Sequence, residues 1–343
     1  MINIGVIGCG KIAQVRHLPE YADHKDANIK AVFDLCKERA DQIAVEYGAK
    51  SYDSWQELLV DPEIDAVSVC AANAVHCEIT VAALRAGKHV LCEKPMAIKL
   101  SECEEMVKVA NETGKYLMIG HNQRLAKAHA KARELILSGE IGDIVTFETR
   151  FGHSGPETWV IDSNNIWFFD KKTAVFGALA DLGIHKTDLI QFLTEQKVKE
   201  VSAFVGTLQK AYASGTPIGV DDNAICIYRM DGGAVGTMTA SWTCYGPEDN
   251  STVLYGTEGI MRIYDDPEYS IIIQKKDGTE INYQVDQIQT NDNQTKSGVI
   301  DLWMESLIEQ KPPEISGEEA LSAMKAVFAA MESSETGQRI VIQ

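Results

Sequence analysis

Positive charge is what this chain has least of. Its 343 residues carry 32 lysines and arginines against 50 aspartates and glutamates, a net charge of −18. A surface of that sign repels phosphate, which excludes nucleic acid and an anionic membrane surface from the expected partners. Long apolar runs are also missing. The longest are strand-sized, well short of the roughly 18 residues that mark a membrane span. No basic stretch precedes the first strand, since Met1-Ile2-Asn3-Ile4 leads straight into it, so the expected location is cytoplasmic. Paired cysteines are absent as well. None of Cys9, Cys36, Cys70, Cys77, Cys92, Cys103, Cys226 and Cys244 forms a C-x-x-C pair, and Cys70 and Cys92 lie in apolar runs. Free buried thiols are expected, with no metal and no disulfide framework.

What is present is an ordinary globular composition, 45% hydrophobic, in a chain long enough for two domains. Residues 1–120 alternate apolar runs with amphipathic segments. Ile2–Ile7, Ile29–Phe33, Ile64–Ala71, His89–Cys92 and Tyr116–Ile119 read as strands. Lys37–Tyr47 before Gly48 and His76–Ala86 before Gly87 read as helices stopped by glycine. Ser101-Glu102-Cys103-Glu104 has capping-box spacing for a further helix ending at Gly114. Such alternation implies an α/β, doubly wound parallel sheet. Residues 121–343 differ. After a helix at Lys127–Leu137, the runs Val145–Phe151, Val198–Leu208, Ala224–Met230 and Ala234–Trp242 alternate with period two. Asp231-Gly232-Gly233 turns the last pair into a hairpin. The expectation is an α+β domain with an open, mostly antiparallel sheet. A core-facing helix at Gly317–Ser334 could pack back on the first domain.

Gly8-Cys9-Gly10-Lys11-Ile12-Ala13 follows the first strand and opens a helix. In that context the pattern is a dinucleotide turn: Gly8 for the bend, Gly10 for close approach of a pyrophosphate, Ala13 for packing. Lys11 and Ile12 begin the helix whose free amides would face phosphate. Asp34 ends the second strand about 20 residues on, where an acid accepts hydrogen bonds from the ribose of NAD. It would repel the 2′-phosphate of NADP by ~1–4 kcal/mol, so NAD is expected and NADP disfavoured, although Lys37 and Arg39 lie near enough to soften the preference. The other reading of Asp34 is a helix N-cap. Ala71, Asn73 and His76 follow the next strand at the same edge, with His76 either lining the cofactor site or capping a helix.

The run His89–Cys92 ends in Glu93-Lys94-Pro95, again at the sheet's carboxyl edge, where such sheets keep their ligands. Far along the chain, Asp181, His185 and Asp188 fall at i, i+4 and i+7, one face of a helix. A carboxylate against the imidazole would fix its tautomer and raise its basicity. Oxidising a secondary alcohol needs a base for the hydroxyl proton and a cation for the developing alkoxide. His185 and Lys94 fit those roles, and Asp181 completes the group.

These motifs make the sequence resemble the glucose–fructose oxidoreductase / inositol dehydrogenase / rhizopine-catabolism (Gfo/Idh/MocA) family over nearly its whole length. The resemblance rests on Gly8–Ala13, Asn73 and His76, Gly87-Lys88-His89-Val90 leading into Glu93-Lys94-Pro95, and Gly177-Ala178-Leu179 before Asp181-x-Gly183-x-His185-x-x-Asp188. Asp222-Asn223, Tyr255-Gly256-Thr257-Glu258-Gly259 and Ser334-x-x-Gly337 extend it. It implies an NAD-dependent dehydrogenase acting on a cyclic polyol or sugar, with Lys94, Asp181 and His185 catalytic and a homodimer or homotetramer built through the open sheet. A glycosidase using NAD transiently and an NAD-responsive regulator are the alternatives. Ala72 stands where the family often has proline, and Phe168 follows Trp167 where many members have arginine. Without that cation a neutral substrate is expected. The segment from Gly152 to Trp159 should border it, with His121, Asn122 and His153 as candidate hydroxyl contacts and Trp159 and Trp167 as aromatic walls.

Overall fold

Six short strands pair in parallel, the central ones because they are apolar on both faces and must be covered twice. In chain order they are β1 (Ile2–Ile7), β2 (Ala27–Phe33), β3 (Lys50–Ser51), β4 (Ala66–Val69), β5 (His89–Cys92) and β6 (Leu117–Ile119). Their spatial order is β3-β2-β1-β4-β5-β6. The order reverses beside β1, which opens a crevice at the carboxyl ends of β1 and β4. Helices α1 (Leu18–Asp23), α2 (Lys37–Tyr47), α3 (Trp55–Val60), α4 (His76–Arg85) and α5 (Leu100–Thr113) connect the strands. The computed structural model describes residues 1–161, 167–288 and 296–343.

Helix α6 (Lys127–Leu137) leads into the second sheet. Its members are β7 (Ile144–Gly152), β8 (Val198–Gly206), β9 (Asn223–Met230), β10 (Val235–Ser241), β11 (Thr252–Gly256), β12 (Gly259–Ile263), β13 (Ile271–Lys275), β14 (Glu280–Tyr283) and β15 (Ile340–Val341). They lie in the order β14-β13-β12-β11-β7-β10-β9-β8-β15. All pairs are antiparallel except β7 with β10. The expected hairpin joins β9 to β10, with Gly233 at φ +98°. Helix α7 (Ile184–Thr194) is buried against this sheet, and Thr187 bonds the Tyr228 hydroxyl at 2.9 Å.

The last two helices return to the first sheet. α8 (Val299–Glu309) sets Trp303 and Met304 into one core with Ile4, Val6, Leu91 and Met118. α9 (Gly317–Thr336) lies between the sheets, packed on β8 on one side and on α5 and β6 on the other. Ser334 accepts from the Val205 amide at 2.9 Å, and Gly337 closes the helix in a left-handed cap. That resemblance motif is therefore a fastening of the fold. Gly256 is another, because a β-carbon there would stand 2.0 Å from the Ile141 carbonyl oxygen.

Two local expectations need correction. Ser101 does not cap α5. The helix starts one residue earlier from an extended Lys99, whose carbonyl takes the Glu102 and Cys103 amides, so Ser101 falls inside the first turn. The same serine-to-glutamate spacing does form caps at Ser54 and Ser316, whose hydroxyls accept the amides of Glu57 and Glu319. Strands β11 to β15 were not anticipated, being four or five residues long or shorter, with turns too close for a period to show.

Candidate active site

The glycine turn is built as its sequence requires. Gly8 sits at φ +94°, and a β-carbon there would lie 2.6 Å from the Cys70 carbonyl oxygen. Gly10 faces open space. Asp34, just beyond β2, accepts from the amides of Cys9 at 2.7 Å and Cys36 at 2.8 Å, and Arg39 reaches it at 3.3 Å. Its carboxylate thus staples the glycine turn to the start of α2, whose N-cap residue is Cys36. Lys37 is drawn away to Asp53 and Asp41. After β4, Asn73 donates to the Ala174 carbonyl at 3.2 Å, tying the two units together. His76 is not a cap. It is the first residue of α4, and its ring nitrogens lie 2.9 Å from the Pro95 carbonyl oxygen and 3.0 Å from that of Ala71. Burial holds this ring below its ordinary pKa, so it spans the two loops as a neutral group donating to one carbonyl.

Glu93 and Lys94 leave β5 in opposite directions. The Glu93 carboxylate is buried against His17 at 2.9 Å and Arg16 at 3.6 Å. Burial alone would raise its pKa, but His17, Arg16 and Lys94 outweigh that and hold it at about 2. Lys94 points into the cleft and spends its ammonium on Asp181, 2.8 Å from Oδ1 and 2.9 Å from the main-chain oxygen.

Asp181 belongs to a five-residue π-helical stretch, Leu179–Gly183, that precedes α7. Its start is fixed by Asp221, which accepts from the amides of Gly177 at 2.7 Å and Leu179 at 2.8 Å. A β-carbon on Gly177 would collide with the Asp221 carbonyl, which explains that glycine. The second carboxylate oxygen of Asp181 accepts from the Trp242 indole at 3.1 Å. The expected pairing of Asp181 with His185 is not formed. Both carboxylate oxygens are committed elsewhere, and the widened π turn breaks the i, i+4 alignment of a regular helix. Burial, then Lys94, presses the His185 ring well below its usual pKa, so it is neutral. Its Nδ1 is buried with no hydrogen-bond partner. Asp188, expected on the same face, is buried in a two-point bond with Arg124 at 2.7 and 2.5 Å.

These groups share one cavity of about 1120 Å³. That is more than a single small-ligand site of roughly 300–1,000 Å³ requires. Gly8, Gly10, Lys11, Ile12, Asp34, Ala71, Asn73, His76 and Glu93 line it from the first sheet's unit, and Lys94, Asp181 and His185 line it too. Asn122, His153, Trp159, Trp167 and Phe168 line it from the second unit. His153 accepts the Gly155 amide on Nδ1 at 2.9 Å, so its neutral ring carries the proton on Nε2, free to meet a hydroxyl. Trp167 stacks on Phe168 with centroids 3.9 Å apart, and Phe168 leans on Trp242. His121 does not line the cavity; it is buried behind Asn122. Trp242, Asp221 and Arg16 were not foreseen. Their partners lie many residues away, and no local spacing announces them. Among the described residues no cluster of histidine, cysteine and carboxylate side chains could hold a metal, and no helix is long and apolar enough to cross a membrane.

Comparison with known proteins gives the same architecture. Residues 2–121 match the family model described as "Oxidoreductase family, NAD-binding Rossmann fold", and residues 129–262 match the GFO/IDH/MocA C-terminal domain. Levoglucosan dehydrogenase of Pseudarthrobacter phenanthrenivorans is 32% identical over 286 residues, 75% of this chain and 72% of that protein. Myo-inositol 2-dehydrogenase of Thermotoga maritima is 25% identical over 347 residues, 100% of this chain and 99% of that one. A solved levoglucosan dehydrogenase in complex with NADH and levoglucosan superposes with a TM-score of 0.86 at 23% identity, covering 99% of both chains.

The open space at Gly10 yields a clean test. Gly10→Ala meets nothing within 4 Å in the protein, so thermal stability should be unchanged. NAD affinity should fall at least about tenfold, roughly 1.4 kcal/mol, as measured by calorimetric titration beside a melting curve.

Proposed function

The chain belongs to the Gfo/Idh/MocA oxidoreductases, and from that membership we propose that it oxidises a secondary hydroxyl of a neutral cyclic polyol or sugar, with NAD as hydride acceptor. The observation that carries this reading is the convergence of Lys94, Asp181 and His185 in one cavity with the glycine turn and the aromatic residues Trp159, Trp167 and Phe168. Bound NAD supplies the electrophilic ring carbon that takes the hydride. The protein supplies the rest. The buried, neutral His185 takes the hydroxyl proton on Nε2, the nitrogen that its buried Nδ1 leaves toward the cavity. Lys94, held in place by Asp181, stabilises the alkoxide as the proton leaves. Asp181 therefore serves the lysine, and Trp242 in turn orients Asp181.

Substrate class comes from the cavity residues of the second unit. The stacked Trp167 and Phe168 and the nearby Trp159 offer apolar surface for a ring face. The Nε2 proton of His153, with Asn122, offers hydrogen bonds to ring hydroxyls. Phe168 places a hydrocarbon face on Trp242 where a cation would have served a carboxylate. Neutral rings fit this wall better than uronic acids. The relatives named for levoglucosan and myo-inositol support the class.

A partner copy is also supported. Phe204 on β8 and Ile225 on β9 stand opposite each other, 58% and 52% exposed, with Ile227 beside them at 52%. We assign this outer sheet face to a homodimer or homotetramer. Ile225→Lys should lower the sedimentation coefficient to that of a smaller species, and an unchanged value would remove the assignment.

Turnover tests the chemistry. His185→Ala should lower kcat by ~10²–10⁴, about 3–5 kcal/mol of barrier, with NAD affinity retained. A base accepts only while neutral, and burial and Lys94 set the pKa of His185 well under 6.5. Wild-type oxidation should therefore hold its rate as pH falls through 6.5 and decline only below it. Near-normal turnover in the alanine variant would move the base elsewhere, with Lys94 the next candidate. Release of sugar from glycosides without net NADH would replace dehydrogenation by transient oxidation.

Cofactor choice rests on Asp34, whose charge is offset by Arg39 while Lys37 is engaged elsewhere. Catalytic efficiency with NAD should exceed that with NADP by at least about tenfold, the low end of the Coulombic repulsion at this range. Asp34→Ser should narrow the gap through tighter NADP binding; equal efficiencies in the wild type would contradict the assignment.

A further inference from the structure

His121 is a histidine the proposed chemistry leaves unused. It sits at the carboxyl end of β6 at φ −78°, ψ 71°, and the Asn122 amide bonds across it to the Gly120 carbonyl at 2.9 Å. That tight inverse turn aims the ring beneath α7. The residue is 1% exposed, and both ring nitrogens are buried without a hydrogen-bond partner. Buried polar atoms are nearly always satisfied. An imidazole lacking both partners in a packed interior marks a site for an ordered water.

The neighbouring ring is His185. The two centroids are 6.3 Å apart with planes at 84°, edge to face. His185 lines the cavity while its Nδ1 is buried and unpartnered. At this separation the rings are too far apart for a direct bond and suitably spaced for one water between them. Asp188 lies one turn further along α7 and is bonded to Arg124, from the turn after His121.

We propose that His121 is a positioning and relay residue, joined through one buried water to Nδ1 of His185, and that it receives the proton His185 takes from the alcohol. This rests on the dehydrogenase reading above. Before reaction, the water accepts from Nδ1–H of His185, which leaves Nε2 with its lone pair toward the hydroxyl. As the carbinol hydrogen departs as hydride to the nicotinamide cofactor, the hydroxyl proton bonds to Nε2. Nδ1–H then breaks, its proton joins the water, and the water passes its own proton to His121. His185 ends neutral, with its proton on Nε2; His121 ends charged. Burial opposes that charge, as do Arg124 and Lys94, while the carboxylates of Asp188 and Glu93 favour it. Burial, Lys94, the His121 ring, Arg16 and Lys186 all oppose a charge on His185, whereas His121 has two carboxylates on its side, so the proton moves on to His121. The relay removes a proton from a cleft that bound cofactor and alcohol would close to solvent.

The test has two arms on the NAD-bound protein. Nitrogen-15 NMR of the histidine rings, without substrate, reads the tautomer of His185. The wild type should show Nδ1–H. His121→Phe, which fills the space and cannot bond water, should shift His185 toward Nε2–H. His121→Gln, which bonds water but carries no proton, should keep Nδ1–H. An identical His185 tautomer in the wild type and in His121→Phe overturns the proposal. The second arm measures oxidation of myo-inositol and levoglucosan in H2O and D2O. Both variants should lose about ten- to hundredfold in kcat, part of the usual worth of acid–base help, and should lose the wild type's solvent isotope effect on kcat. Full kcat and an unchanged isotope effect in His121→Gln would also overturn the relay. If the wild type oxidises neither alcohol, the dehydrogenase reading fails, and the tautomer measurement alone decides the link between the rings.

Discussion

The pair between Lys94 and Asp181 is the contact on which the site depends. The two residues lie 87 positions apart, one leaving the first sheet, the other opening the helix that crosses the second. Each side chain is about one-sixth exposed. Taking two charges that far from water is expensive unless further bonds complete them. The surroundings do that in layers. The Lys94 turn is backed by Glu93 in its bed of His17 and Arg16, and Asp181 is completed by Trp242 and set by the amide-gripping Asp221. Remove either charge and the other is stranded in a wall of the cleft. The ion pair is a joint between the units and, in the proposed reaction, the part that presents an ammonium to a hydroxyl.

π-Helical turns occur on both sides of this joint. One, Ala13–His17, comes just after the glycine turn and carries Arg16 and His17 to Glu93. The other, Leu179–Gly183, carries Asp181 to Lys94. A π turn holds one residue more than an α turn and so re-aims the side chains around it. Here the extra residue turns a charged side chain toward the Glu93-Lys94 pair from each direction. That shared geometry explains why a glutamate and a lysine adjacent in sequence hold such different company.

Much of this was legible in the residues and some was not, for physical reasons. The glycine turn, Asp34 and the β5 exit could be read because their logic is local: strand, bend and helix start lie within a few residues. The ends of α2 and β5 came out to the residue for the same cause. The bond between Asp181 and His185 was misread because helical arithmetic assumes 3.6 residues per turn, and nothing in Leu179–Gly183 advertises a wider one. Trp242 and Asp221 stayed hidden because they act on partners 61 and about 40 positions away. Ser101 and Ser316 share a spacing and differ in outcome, since a cap depends on where the preceding backbone turns. His121 could be picked out as a histidine near a strand end, but its place behind the cavity wall is a fact of packing.

The return of α8 and α9 to the first sheet also bears on the order in which the chain is made. The segment matching the nucleotide-binding family model ends at residue 121. Yet the core that holds Ile4, Leu91 and Met118 is completed by Trp303 and Ile315. At ribosomal speed of about 5–20 residues per second, that interval lasts on the order of ten to forty seconds. Until then a nascent chain carries a parallel sheet with one apolar face covered only by α1 and α2. Birth of the protein is therefore closer to a single late closure than to two modules finished in turn, and the exposed interval is when chaperones have the most to hold.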